Sequence, residues 1–143
     1  MVKNKILAIC IFLYSLSSVC FAYDSVNLRT IAYIESGNNA KAYNEQTKAT
    51  GLYQITPICL ADYNYFAKAG QYTLSDMFDV YRAKLVATWY IEKRIPFLLK
   101  KYNHEVTVRN VLIGFNCGVK CVGKPLPKET SDYIKKYDMI ENN

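Results

Sequence analysis

The chain has 143 residues, enough for one domain of ordinary size and too few for two independent cores. With 51% hydrophobic and 21% charged residues, six Gly and four Pro, the composition excludes disordered, collagen-like and low-complexity proteins. A formal net charge of +6 suits an anionic partner such as a wall polymer or a membrane surface, and equally a plain solvated surface, so charge alone does not choose.

Residues 1–22 read as a secretory signal peptide, because Lys3 and Lys5 precede an apolar run from Ile6 to Leu16 and Ala22 offers a small residue for cleavage. The whole stretch from Ile6 to Ala22 also approaches the length of an uncleaved membrane anchor. A lipid-modified Cys20 is disfavoured by the bulk of Val19 before it. Cleavage after Ala22 leaves residues 23–143 as one exported domain, periplasmic or extracellular; it removes two lysines and no acid, so the charge falls from +6 to +4. Of the five cysteines, Cys59, Cys117 and Cys121 remain, and an oxidising compartment predicts one disulfide and one free thiol with all three pairings open. A single histidine, His104, argues against a structural metal site, and no metal is assigned.

Apolar spacing predicts a mainly α domain of about six helices, with no sustained period-two alternation. The first helix starts near Ser25 as N-cap, carries Leu28, Ile31 and Ala32 on one stripe, and stops before Gly37, Asn38 and Asn39. A polar loop over 37–50 leads to Gly51-Leu52-Tyr53-Gln54-Ile55. Thr56 then caps a helix over 57–67 with Pro57 at its first position, and Gly70 stops it. Ser75 and Asp79 are the next candidate caps, followed by a long buried helix marked by Val80, Leu85, Val86, Trp89 and Tyr90 that Pro96 must kink or end. Thr107 caps a helix over 108–116 ended by Gly118, and after Pro125 and Pro127 a last helix covers 129–137. Most of the thirteen tyrosines are expected to be partly buried, with some free to line a sugar groove.

Glu35 continues the apolar stripe of the first helix, three, four and seven residues after Ala32, Ile31 and Leu28. A carboxylate on a buried face must be paired or must raise its pKa, because desolvation disfavours the charged form. Raising a glutamate from about 4.3 to about 6 costs about 2 kcal/mol, a penalty expected mainly where a general acid is needed. On spacing alone, a glutamate fraying into solvent at the helix end fits slightly better.

Four short words decide between these: Glu35-Ser36-Gly37, Gly51-Leu52-Tyr53-Gln54, Gly114-Phe115-Asn116, and Glu129-Thr130-Ser131-Asp132-Tyr133. In this order and spacing the chain resembles the soluble-type (SLT) lytic transglycosylases, relatives of goose-type lysozyme, over roughly residues 27–137. Tyr53 stands where the family has methionine in Gly-Leu-Met-Gln, and Gly114-Phe115-Asn116 resembles the family's Ala-Tyr-Asn. The resemblance implies a lysozyme-like single domain that cleaves the β-1,4 bond between N-acetylmuramic acid and N-acetylglucosamine in peptidoglycan, leaving 1,6-anhydro ends. It implies Glu35 as the catalytic group, with Ser36, Tyr53, Gln54, Phe115, Asn116 and Tyr133 binding substrate or orienting the acid. The expected partners are peptidoglycan glycan strands, with a secretion or conjugation apparatus as the setting for local wall opening. The protein is expected to be a monomer, with no nucleic-acid partner and no cofactor, since Rossmann and P-loop glycine patterns are absent. Two other readings stand beside it. One is a lysozyme-like hydrolase of the same bond, for which Glu45 is the candidate second carboxylate. The other is a non-catalytic wall-binding or assembly protein.

Overall fold

Among residues 25–143, which the computed structural model describes, the chain forms six α-helices and no strand. The signal peptide expected at residues 1–22 lies outside the described residues. Among the described residues no helix is long and apolar enough to cross a membrane.

Helix α1 (Leu28–Ser36) begins later than expected. Asn27, not Ser25, is the N-cap, its side chain accepting from the Arg29 amide at 3.0 Å. Gly37 ends the helix in a left-handed conformation, φ +61°. The loop that follows folds back on itself through backbone pairs between Tyr43, Thr50 and Ile55. Helix α2 (Pro57–Phe66) has the expected Thr56 cap, which accepts from the Cys59 amide at 3.2 Å. Ser75 caps nothing; it sits inside a 3-10 turn over Leu74–Phe78, where Thr73 and Asp76 form the capping box. Asp79 caps α3 (Val80–Trp89), accepting from the Arg82 amide at 2.9 Å.

The central helical rod differs from expectation in two ways. Its buried stripe is Ala83, Val86 and Ala87, whereas Val80 and Leu85 are exposed. Small residues on the inner face let α3 approach its neighbours closely, and hydrophobicity alone does not reveal them. Pro96 neither ends the rod nor breaks it. A π-helical turn over Tyr90–Arg94 joins α3 directly to α4 (Ile95–Lys101), with the Ile95 amide bonded to the Tyr90 carbonyl five residues back. Proline lacks an amide and its ring crowds the carbonyl four residues before it, so the wider turn upstream absorbs the mismatch. Ile91, Ile95 and Leu99 continue the buried stripe.

Thr107 caps α5 (Val108–Asn116), and α6 (Lys128–Glu141) runs four residues past the expected end. Helices α1 and α6 lie side by side in opposite directions. The Asn27 amide donates to the Tyr137 hydroxyl at 2.7 Å, Asn27 Nδ2 donates to Glu141 at 3.1 Å, and the Thr30 hydroxyl also donates to Glu141. This clamp at the start of α1 sets the register that brings Glu35, at its other end, beside Tyr133 of α6.

Candidate active site

Gly51 shows why the second sequence word is needed. Its φ is +78°, and a Cβ there would stand 1.8 Å from the Met77 carbonyl oxygen, so only glycine fits. Thr50 and Ile55 exchange two backbone hydrogen bonds of 3.0 Å across the Gly51–Gln54 turn. Within that turn Gln54 is also left-handed, φ +47°, and its Nε2 donates to the Gly51 carbonyl at 3.0 Å. The Ser36 hydroxyl lies within reach of the Ala32 carbonyl at 3.1 Å and the Leu52 carbonyl at 2.8 Å, and accepts from the Asn39 amide at 3.1 Å. Ser36 therefore ties the residue after Glu35 to the turn that presents Gln54.

These elements frame a cleft of about 510 Å³. Glu35 enters from α1, Gln54 from the turn, Ile58 and Cys59 from α2, and Phe115 and Asn116 from the end of α5. Gly114 lets α5 sit close to α4, since a Cβ there would meet Ile95 at 2.7 Å and Val119 at 3.3 Å. A disulfide between Cys117 and Cys121 closes the turn just after Asn116, while among the described residues Cys59 is the free thiol, buried and pushed up to about 12 chiefly by desolvation. Of the residues expected to contact substrate, Gln54, Phe115 and Asn116 line the cleft. Ser36, Tyr53 and Tyr133 do not line it: Ser36 is occupied with backbone carbonyls, Tyr53 is 5% exposed in the core, and Tyr133 lies buried behind the acid.

Glu35 is largely buried, and desolvation raises its pKa from 4.5 to about 7; the Tyr133 hydroxyl and the Lys136 ammonium pull the other way without cancelling it. The Tyr133 hydroxyl has no partner within ordinary hydrogen-bond geometry, but it stands close enough to the Glu35 carboxyl to pull its pKa down. Its own pKa is pushed far up by burial and by the neighbouring carboxylate. Glu45, the candidate second carboxylate, and Asp62 stand elsewhere. Glu45 is 83% exposed and pairs with Lys48 at 3.5 Å, and Asp62 receives two hydrogen bonds from Arg94, at 2.6 and 2.8 Å. Among the described residues Glu35 is thus the single carboxylate lining the cleft. Among the described residues no cluster of His, Cys, Asp or Glu is arranged to hold a metal ion.

Three further polar residues line the cleft without a sequence signal for chemistry. Asn44 and Thr47 come from the polar loop, where the Asn44 side chain accepts from the amides of Gln46 and Thr47 and so shapes the wall. Tyr90, read from sequence as core, reaches the cleft from the π-helical turn, with its phenol pushed up to about 12 chiefly by burial. A change of helical period at one turn carries no local sequence signal except the proline that follows it.

A helical domain with a cleft of amides and rings around one desolvated carboxyl, poised near neutrality, is the lysozyme-like class of glycan-cleaving fold. The chain belongs to the SLT transglycosylases: the family model described as Transglycosylase SLT domain matches residues 19–138. It is a lytic-transglycosylase-type domain that acts on peptidoglycan and binds its glycan strands. Neither curated proteins nor solved structures give a match.

Proposed function

We propose that the protein is a lytic transglycosylase that uses Glu35 alone as acid and then base at the β-1,4 bond between N-acetylmuramic acid and N-acetylglucosamine. The observation that carries this is that Glu35 is the one carboxyl in the cleft among the described residues, held near a pKa of 7. In the first step the protonated Glu35 gives its proton to the glycosidic oxygen and the C1–O bond breaks. The substrate's own acetamido group supports the positive centre, in the place a second protein carboxylate takes in most glycosidases. In the second step the Glu35 carboxylate takes the proton of the C6 hydroxyl as O6 bonds to C1. The 1,6-anhydro ring forms, the acid is regenerated, and no water is consumed. A pKa near 7 suits both halves, because acid and conjugate base are each populated at neutral pH.

Gln54 and Asn116 supply amides that donate to and accept from acetamido groups, and Phe115 offers a ring to the sugar. Tyr133 orients the acid from behind, and Ser36 holds the Gln54 turn in register. The setting is the cell wall after export, with local opening of the mesh for a secretion or conjugation apparatus. Digestion of purified peptidoglycan in oxygen-18 water tests the reaction class. No label at the new muramic ends is expected, and label incorporated at each cleavage would make the enzyme a hydrolase.

A further inference from the structure

Helix α2 carries Ile58, Ala61 and Tyr65 along one side, spaced by three and four residues, and all three are exposed. Ile58 and Tyr65 are 80% and 76% exposed, unusual for large apolar groups on a helix whose other side is core. Ile58 lines the catalytic cleft. Ala61 and Tyr65 line a second, open groove of about 620 Å³, completed by Asn64, Lys68 and Gln71. At 1.5 Å rise per residue, Ile58 and Tyr65 are about 10 Å apart along the helix, so one helix side joins the two concavities.

The Tyr65 ring at this groove is buttressed by its neighbours. Asp62 clamps the Arg94 guanidinium, which lies 3.9 Å from the centre of the Phe66 ring, and Phe66 meets Tyr65 edge to face with centroids 4.6 Å apart. Asn64 Nδ2 donates to the Tyr72 carbonyl at 2.8 Å, its Oδ1 accepts from the Tyr72 amide at 3.0 Å, and Gln71 Nε2 donates to the Asn64 carbonyl at 3.0 Å. An exposed ring buttressed in this way loses little entropy when a ligand stacks on it.

We propose that this side of α2 is a second glycan-binding site that continues the catalytic cleft. The strand passes over Ile58, lays the apolar C–H face of a sugar on Tyr65, and sets stem-peptide carboxylates near Lys68. Continuity with the cleft through Ile58 favours a glycan as occupant, and the cation in the groove suits the acidic stems. The proposal rests on the cleft being the peptidoglycan-cleaving site.

The test uses the full chain carrying Glu35→Gln, isotope-labelled for NMR, titrated with purified peptide-bearing glycan strands and with a disaccharide-length fragment. Long strands are expected to shift amides around the cleft and along Ala61–Lys68 and Gln71, and the short fragment those of the cleft alone. Tyr65→Ala in this background should weaken long-strand binding about threefold to tenfold and leave the short fragment's Kd unchanged. Lys68→Glu should weaken peptide-bearing strands more than peptide-stripped ones. Cleft shifts without α2 shifts would overturn the second site and leave the cleft reading intact, freeing the α2 face for a protein partner. No shifts anywhere would overturn both, and an equal loss for short and long ligands in Tyr65→Ala would also overturn the second site.

Discussion

Replacing Glu35 with glutamine should stabilise the protein, and by an amount that depends on pH. Burial raises the Glu35 pKa from 4.5 to about 7. In the unfolded chain the carboxyl ionises near 4.5, whereas in the fold it stays protonated until about 7, so between these values the folded state binds more protons and stability falls as pH rises. The stabilisation from holding the neutral acid is fully present below 4.5 and is lost through pH 7, after which the curve levels. At 1.36 kcal/mol per unit, the loss across the window is about 3 kcal/mol. Glutamine has nearly the same shape and does not titrate, so Glu35→Gln escapes the loss, while every other carboxyl is common to both proteins and cancels. The stability difference, measured by urea denaturation with circular dichroism, should be small at about pH 4 and reach about 3 kcal/mol at about pH 8, equivalent to roughly 10 °C in Tm. A difference that stays flat across that range would refute the desolvated acid.

The same acid should make kcat/KM fall as pH rises through about 7, because the protonated form starts the reaction. Tyr133→Phe removes a hydroxyl that pulls the Glu35 pKa down, so the alkaline limb should move to higher pH; a limb that stays in place would remove Tyr133 from that role. Since the hydroxyl has no well-formed partner, the variant should lose little or no stability by thermal melting. Gly51→Ala forces a Cβ into the Met77 carbonyl at a left-handed φ and should cost about 3 kcal/mol or more in denaturant unfolding. Replacing Cys117 and Cys121 together with serine opens a very short loop and should cost about 2 kcal/mol by the same measurement.

The parts legible in sequence were those written locally. Thr56, Asp79 and Thr107 announce their helices because a short oxygen before an apolar run has few other uses, and each caps as expected. The order of the four words was legible too, although the words mix chemistry with scaffolding. Gly51 is set by a backbone contact, Gly114 by the side chains of Ile95 and Val119, and Ser36 by a carbonyl sixteen residues away, so a motif residue need not touch substrate. Tyr53 reads as a groove residue beside Gln54, yet successive residues of a tight turn point in different directions and it falls into the core. The core stripe of α3 was hidden because alanines carry little hydrophobic signal, and Tyr90 because a π-turn resets the face a helix presents. The pairing of Cys117 with Cys121 required coordinates, since three cysteines admit every combination.

The central claim, that Glu35 alone performs both proton transfers, is tested most directly by mass spectrometry of muropeptides released from purified peptidoglycan, wild type beside Glu35→Gln. The account predicts wild-type products one water lighter than reducing muropeptides, and none from a folded Glu35→Gln protein. Reducing ends from the wild type, or cleavage persisting in the folded variant, would contradict it.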